Sequence, residues 1–489
     1  MEQKKALKRY VDTKTVNRKL DELIKLPIYS ISDEALRRYE SGYFEAKCAG
    51  SKERITKAKD VIPGGVQHNL AFNYPFPLVF TSAKGHTLTD IDGNEYYDFL
   101  QAGGPTVLGS NPDAVRSKVM ELLDECGPST GLFHEYEYKL GAKIAECVSS
   151  VDMFRMYTSG TEACMVASRV ARLATKNKFI VKMGGAYHGW SDQLAYGIRI
   201  PGTKGLQSPG IPGYNFKRTR EFFPNDLSSL ERTLRLNSLH GGTAAVFIEP
   251  LGPESGTRPL DFDFNKGVRE LCDKYGTLLV FDEVVTGFRV GMGGAQGYFE
   301  VTPDLTVFGK VIAGGYPGAG GLGGKREYMK FLGAGLDGGG KKALSGGTLA
   351  ANPLSCAAGY HTLCEMERTD ACTKANDMGD YLTDGLNKLI DKRGLPFVAY
   401  NVGSICHLDT LGTMHYSINW GKLWQLPGIL KATSARKAEM EHIGAAYMAE
   451  GLVTLAGNRL YTNATYTKED IDDVLARFDR VFEQVEIKG

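Results

Sequence analysis

Between residues 154 and 308 the chain repeats one pattern: a short apolar run rich in β-branched or aromatic residues, then a stretch with helical periodicity. The runs are 154–157, 179–182, 244–249, 278–282 and 305–308. Strands that alternate with helices bury their surfaces by forming a mainly parallel sheet with helices packed on it. This α/β pattern predicts a ligand site outside the carboxyl ends of the strands.

Around this block the texture changes. Residues 1–60 hold 15 basic and 10 acidic residues with helical periodicity in Leu20, Leu23 and Ile24, and are expected to be an N-terminal helical extension. Residues 61–113 carry short alternating runs split by Lys84-Gly85 and Asp92-Gly93, which predicts a β-meander belonging to a small domain. Residues 114–355 are the large α/β domain, and 356–489 a smaller α+β domain.

Net charge is +1, which offers no field to attract nucleic acid. The longest apolar runs are far shorter than the roughly 18 residues of a membrane helix. A charged N-terminus without an apolar stretch adds to the expectation of a cytoplasmic protein. The nine cysteines form no Cys-x-x-Cys pair, and the nine histidines no His-x-x-x-His pair, so neither disulfides nor a bound metal is expected. Glycine is abundant, 59 of 489 residues, yet without a Gly-X-Y period, so each cluster needs a local reason.

Those reasons lie at the strand ends. The run Leu278-Leu279-Val280-Phe281 ends in Asp282, a carboxylate placed at a desolvated sheet edge, where it needs a proton-bearing partner. The run 305–308 is followed by Gly309-Lys310. A half-buried lysine has its ammonium destabilised, which frees the amine for imine formation. Together they point to an aldehyde cofactor with a basic ring nitrogen. Ser159-Gly160-Thr161-Glu162, between a strand and an Ala-rich helix, has capping-box spacing and a glycine that lets backbone N–H groups approach an anion. Tyr187, in Gly184-Gly185-Ala186-Tyr187-His188-Gly189, is placed to stack on a flat ring.

These pieces, with Glu249-Pro250, Thr286-Gly287-Phe288-Arg289 and Gly347-Thr348 before Asn352-Pro353, resemble the class III pyridoxal-phosphate-dependent aminotransferases. The nearest branch resembled is that of glutamate-1-semialdehyde aminomutases and β-amino-acid transaminases. The resemblance implies a fold-type I transferase with pyridoxal 5′-phosphate on Lys310 as a Schiff base. Asp282 would pair with the pyridine nitrogen, Ser159, Gly160 and Thr161 would hold the phosphate, and Tyr187 would stack. Thr348 would reach the phosphate from the other subunit of a homodimer, while His188 and Glu283 would support the site.

The chain departs from that branch where substrate is bound. An aminomutase is expected to carry an arginine at the position of Ala71, and the β-amino-acid transaminases one at the position of His68. The expected function is therefore ping-pong transamination between an amine, β/ω-amino acid or β-aminoacyl thioester and a 2-oxo acid, with His68 and Arg459 as candidate substrate residues. A mutase or racemase on the same site is the alternative. Gly318 to Gly323 matches Gly-x-Gly-x-x-Gly but follows no strand and has no acidic residue about 20 positions on, which disfavours a nucleotide-binding oxidoreductase. A catalytically dead relative is disfavoured by the presence of Asp282, Lys310 and Tyr187. Gly314 to Gly324 is expected to be a flexible strip, and Gly333 to Gly340 a surface loop.

Overall fold

A computed structural model describes residues 7–335, 340–418 and 420–488; part of the 333–340 loop therefore lies outside the described residues. The chain forms two compact units. The first comprises the described parts of 1–14, 113–372 and 417–423, the second those of 15–112, 373–416 and 424–489.

The first unit is built on a seven-stranded sheet: β1 (Met153–Tyr157), β2 (Phe179–Met183), β3 (Thr219–Phe222), β4 (Thr243–Ile248), β5 (Leu278–Asp282), β6 (Leu305–Gly309) and β7 (Gly320–Gly324). Their spatial order is β1-β7-β6-β5-β4-β2-β3. Strands β2 to β6 pair in parallel, as the apolar runs predict. Continuous apolar runs suit such strands because both faces are covered. Helix α1 (Gly160–Thr175) puts Val166, Ala167 and Val170 into one core with Val280, Val307 and Leu322 of the sheet. Each fully buried valine or leucine among them contributes about 1.5–3 kcal/mol.

Strand β7 corrects the flexible strip. Residues 320–324 are a buried strand, antiparallel to both β6 and β1. The glycines answer to space: a Cβ on Gly320 would collide with the Ser159 backbone, and one on Gly324 would lie 2.7 Å from the Asp304 carbonyl. A strand with so few side chains has no apolar periodicity to detect. It also removes the nucleotide-loop reading, since Gly318 to Gly323 runs into a strand rather than a helix.

The second unit holds three small sheets. One is the expected meander, Phe80–Lys84, Thr87–Asp90 and Glu95–Asp98, extended by Leu452–Val453. Another joins Val398–Val402, Ile405–Asp409 and Arg459–Tyr461. The third pairs Ile28–Ile31 with Val485–Lys488. That last pair changes the reading of residues 1–60, which are not a helical extension alone: helices Thr13–Leu23, Asp33–Tyr39 and Ala49–Ala58 are interrupted by a strand stitched to the chain's other end. Residues 7–14 go with the first unit, where the Tyr10 hydroxyl donates to the Leu260 carbonyl at 2.8 Å. The division expected after 355 also falls later. Helix α2 (Pro353–Thr369) stays in the first unit, packed on Asp113–Glu125 and Glu135–Cys147.

Candidate active site

Asp282 ends β5 and is buried, level with Val307 of the neighbouring parallel strand. Lys310 follows that strand by one residue, so the two side chains rise from adjacent strand ends. Lys310 is half-buried and holds a left-handed backbone, φ +48°. A non-glycine residue there costs about 1 kcal/mol or more, a strain that clusters at functional sites. Behind it, Gly359 of α2 faces the Ile312 carbonyl with no room for a Cβ, so the helix seats directly on the turn that carries the lysine.

The Asp282 carboxylate is surrounded by donors. His188 Nδ1 lies 2.7 Å from Oδ2, the Cys164 thiol donates to the same oxygen at 3.6 Å, and the Val284 N–H donates to Oδ1 at 3.1 Å. His188 is fully buried, and burial lowers its pKa despite the aspartate beside it. Neutral imidazole that donates from Nδ1 presents Nε2 as an acceptor, and Nε2 has no partner among the described residues. Cys164, His188 and Asp282 also form a three-donor cluster of the kind a metal ion meets. The burial that raises the Cys164 pKa, and the direct His188–Asp282 bond, favour a hydrogen-bonded relay instead.

The turn expected to hold the phosphate sits alongside. Ser159 caps α1, its hydroxyl accepting from the Glu162 N–H at 3.3 Å. The predicted capping box is only half formed: the Glu162 carboxylate turns to Thr158, accepting from its N–H at 2.8 Å and its hydroxyl at 2.5 Å. That choice leaves the first turn's N–H groups of Gly160 and Thr161 at the positive helix end. Gly189, with φ +86°, passes so close to Thr161 that a Cβ would lie 2.5 Å from its hydroxyl. Val284 closes the group, since a Cβ on either Gly160 or Gly309 would come within 2.8 Å of it. The ends of β1, β2, β5 and β6 thus converge.

Tyr187 is 45% exposed, so its ring is open to a partner. Its N–H donates to Glu249 Oε1 at 2.9 Å. Glu283 plays a structural part: its buried carboxylate accepts from Thr286 Oγ1, from the N–H groups of Ala295 and Gln296, and from the Gln296 side chain at 2.7–3.0 Å. Thr348 is exposed. His68 and Arg459 lie in the second unit. His68 is exposed and accepts from the Leu70 N–H at 3.1 Å; Arg459 opens the strand Arg459–Tyr461. Sequence reasoning missed Cys164 and Lys182. Cys164 has no local signal, being one more small residue on a buried helix face, whereas a lysine inside the apolar run 179–183 is a detectable anomaly.

The class III aminotransferase family profile matches residues 71–482. Glutamate-1-semialdehyde 2,1-aminomutase 1 of Staphylococcus carnosus is 36% identical over 447 residues, spanning 89% of this chain and 98% of that protein. A glutamate-1-semialdehyde 2,1-aminomutase of Legionella pneumophila is 40% identical over 380 residues, 75% and 85% of the two chains. Among solved structures, an omega-transaminase from Sphaerobacter thermophilus superposes with a TM-score of 0.79 at 25% identity, covering 90% of this chain and 99% of that one. A glutamate-1-semialdehyde-aminomutase from Pseudomonas aeruginosa shares the fold, with a TM-score of 0.77 at 22% identity over 96% and 98%. A strand-end lysine, a buried aspartate beside it and a match across most of the chain agree: this protein belongs to the class III aminotransferases, enzymes that use pyridoxal 5′-phosphate.

Proposed function

We propose that the protein moves an amino group between an amine, β/ω-amino acid or β-aminoacyl thioester and a 2-oxo acid. The observation that carries this reading is the placing of Lys310 and Asp282 at adjacent strand ends, with the aspartate held by neutral donors that leave its charge uncompensated. Its remaining lone pairs suit the protonated nitrogen of a pyridine ring. When bound, the cofactor supplies an electrophilic carbonyl carbon and an electron-withdrawing ring. Lys310 would be its covalent anchor, and the Lys310 amine would be the base that takes a proton from the substrate carbon and returns it. Asp282 would hold the ring nitrogen protonated, with His188 orienting the carboxylate. Ser159, Gly160 and Thr161 hold the phosphate, and Tyr187 covers the ring face.

The phosphate site is completed in a homodimer, by Thr348 of the second copy. Exposed apolar side chains near Thr348 support this: Leu344 and Leu349 lie close to it in the chain, while Leu132 and Phe133 follow Pro128, whose carbonyl accepts from the Leu354 N–H. Arg459 and His68 are the residues proposed to meet substrate. Ala71 and His68 stand where arginines would clamp a carboxylate, and loss of such a charge-assisted pair favours substrates without a carboxylate beside the amine.

An intramolecular transfer is the second reading. It is favoured by the names of the relatives at 36–40% identity, which are aminomutases. One measurement separates the two. Holoenzyme given an amino donor alone converts its bound cofactor to the aminated form, seen by absorbance, and stays there until a 2-oxo acid is added. A cofactor spectrum that returns unaided while an isomeric amine accumulates establishes the intramolecular reaction instead.

A further inference from the structure

Lys182 lies within β2 and is completely buried. A buried ammonium is retained only where its donors are satisfied. Here they reach backbone carbonyls of the loop that follows: Ala186 at 2.6 Å, Tyr196 at 2.7 Å and Leu194 at 3.4 Å. On the other side of the same loop, buried Glu249 accepts from the N–H groups of Tyr187 at 2.9 Å, Glu254 at 3.0 Å and Ser255 at 2.7 Å. The Ala186 carbonyl and the Tyr187 N–H belong to one peptide group. That peptide is therefore gripped at its oxygen by the buried Lys182 and at its nitrogen by a buried carboxyl oxygen of Glu249.

We propose that Lys182 and Glu249 are positioning residues that clamp the Ala186–Tyr187 peptide, setting the Tyr187 ring against the cofactor. This rests on the reading that the cofactor lies in this site. Two observations add support. Tyr187 is the exposed member of an otherwise buried stretch, so its own packing does not fix it. Burial pulls Lys182 down to about 8 and pushes Glu249 up to about 8, so near neutral pH the lysine is still largely cationic while the glutamate is largely protonated and holds the peptide through its acceptor oxygens.

The test reads cofactor geometry rather than turnover: the visible circular dichroism induced in bound pyridoxal phosphate, and the rate at which the cofactor is released. Lys182→Met and Glu249→Gln are each expected to diminish the induced signal and speed release about tenfold. In a Tyr187→Leu background the same changes should add less than twofold, because the ring they orient is gone. Undiminished dichroism, or effects that multiply fully in the Tyr187→Leu background, would overturn the proposal. Should Lys182→Met not fold, Glu249→Gln keeps shape and one acceptor oxygen and decides the question alone. Wild-type protein that binds no pyridoxal phosphate would instead overturn the reading of the site, an outcome distinct from either.

Discussion

Asp282 concentrates the chemistry of the site in one carboxylate. Its surroundings are arranged to keep it an acceptor: His188 and Cys164 address one oxygen, the Val284 N–H the other. Asp282→Asn swaps an acceptor for a donor facing His188 and removes the charge that would hold a pyridine nitrogen protonated. Breaking a buried charged pair costs about 3–5 kcal/mol, and about 3 kcal/mol on a barrier is roughly a hundredfold in rate. The variant should therefore bind pyridoxal phosphate and turn over at least about a hundredfold more slowly, as steady-state kinetics will report. Turnover within a few-fold of wild type would show that the carboxylate does not act on the ring. The same lesion leaves Cys164 and His188 in place, so their neighbours give no second route to the effect.

At the scale of elements, β7 is the part most dependent on glycine. Gly320→Ala forces a methyl into the Ser159 backbone, the residue that caps α1. Overpacking of this kind costs typically about 1–3 kcal/mol. Calorimetry should show a Tm lower by several degrees, together with weaker cofactor binding because the phosphate turn is displaced. An unchanged Tm would mean that the turn can yield. In the second unit, helix Lys468–Phe482 is tied to Ala371–Arg393 by Asp479, which meets Arg393 Nε at 2.6 Å and Lys392 Nζ at 2.8 Å. Those cations draw the Asp479 pKa down to about 2, below the roughly 3.9 of an unfolded aspartate. The tie is thus present above pH 4 and lost as pH falls from about 4 to about 2. Being near the surface it is worth under about 1 kcal/mol. Asp479→Asn should lower stability by that much at pH 7 and by nothing near pH 2. The same elements mark what sequence can and cannot carry. Strands β2, β4, β5 and β6 were legible because a buried parallel strand is an apolar run, and Asp282 and Lys310 because a charged residue ending such a run is conspicuous. β7 was not, since five residues with one side chain larger than hydrogen have no pattern. Nor was the Ile28–Ile31 pairing with Val485–Lys488, in which two four-residue strands are partnered across nearly the whole chain.

For the whole molecule the decisive question is whether two copies share a site, as proposed. If Thr348 serves the partner's phosphate, a Lys310→Ala chain and a Thr348→Asp chain, each inactive alone, should complement. Their heterodimer has one doubly damaged site and one intact site. Co-expression should restore activity to a clear fraction of wild type, whereas sites formed within single chains would leave the mixture dead. The central claim, that Lys310 is the covalent anchor of the cofactor, is tested most directly by borohydride reduction of the holoenzyme followed by peptide mass analysis. The yellow band should bleach and the mass of reduced pyridoxal phosphate should appear on the peptide containing Lys310. The same mass on another lysine, such as Lys182, or on none, would contradict the account.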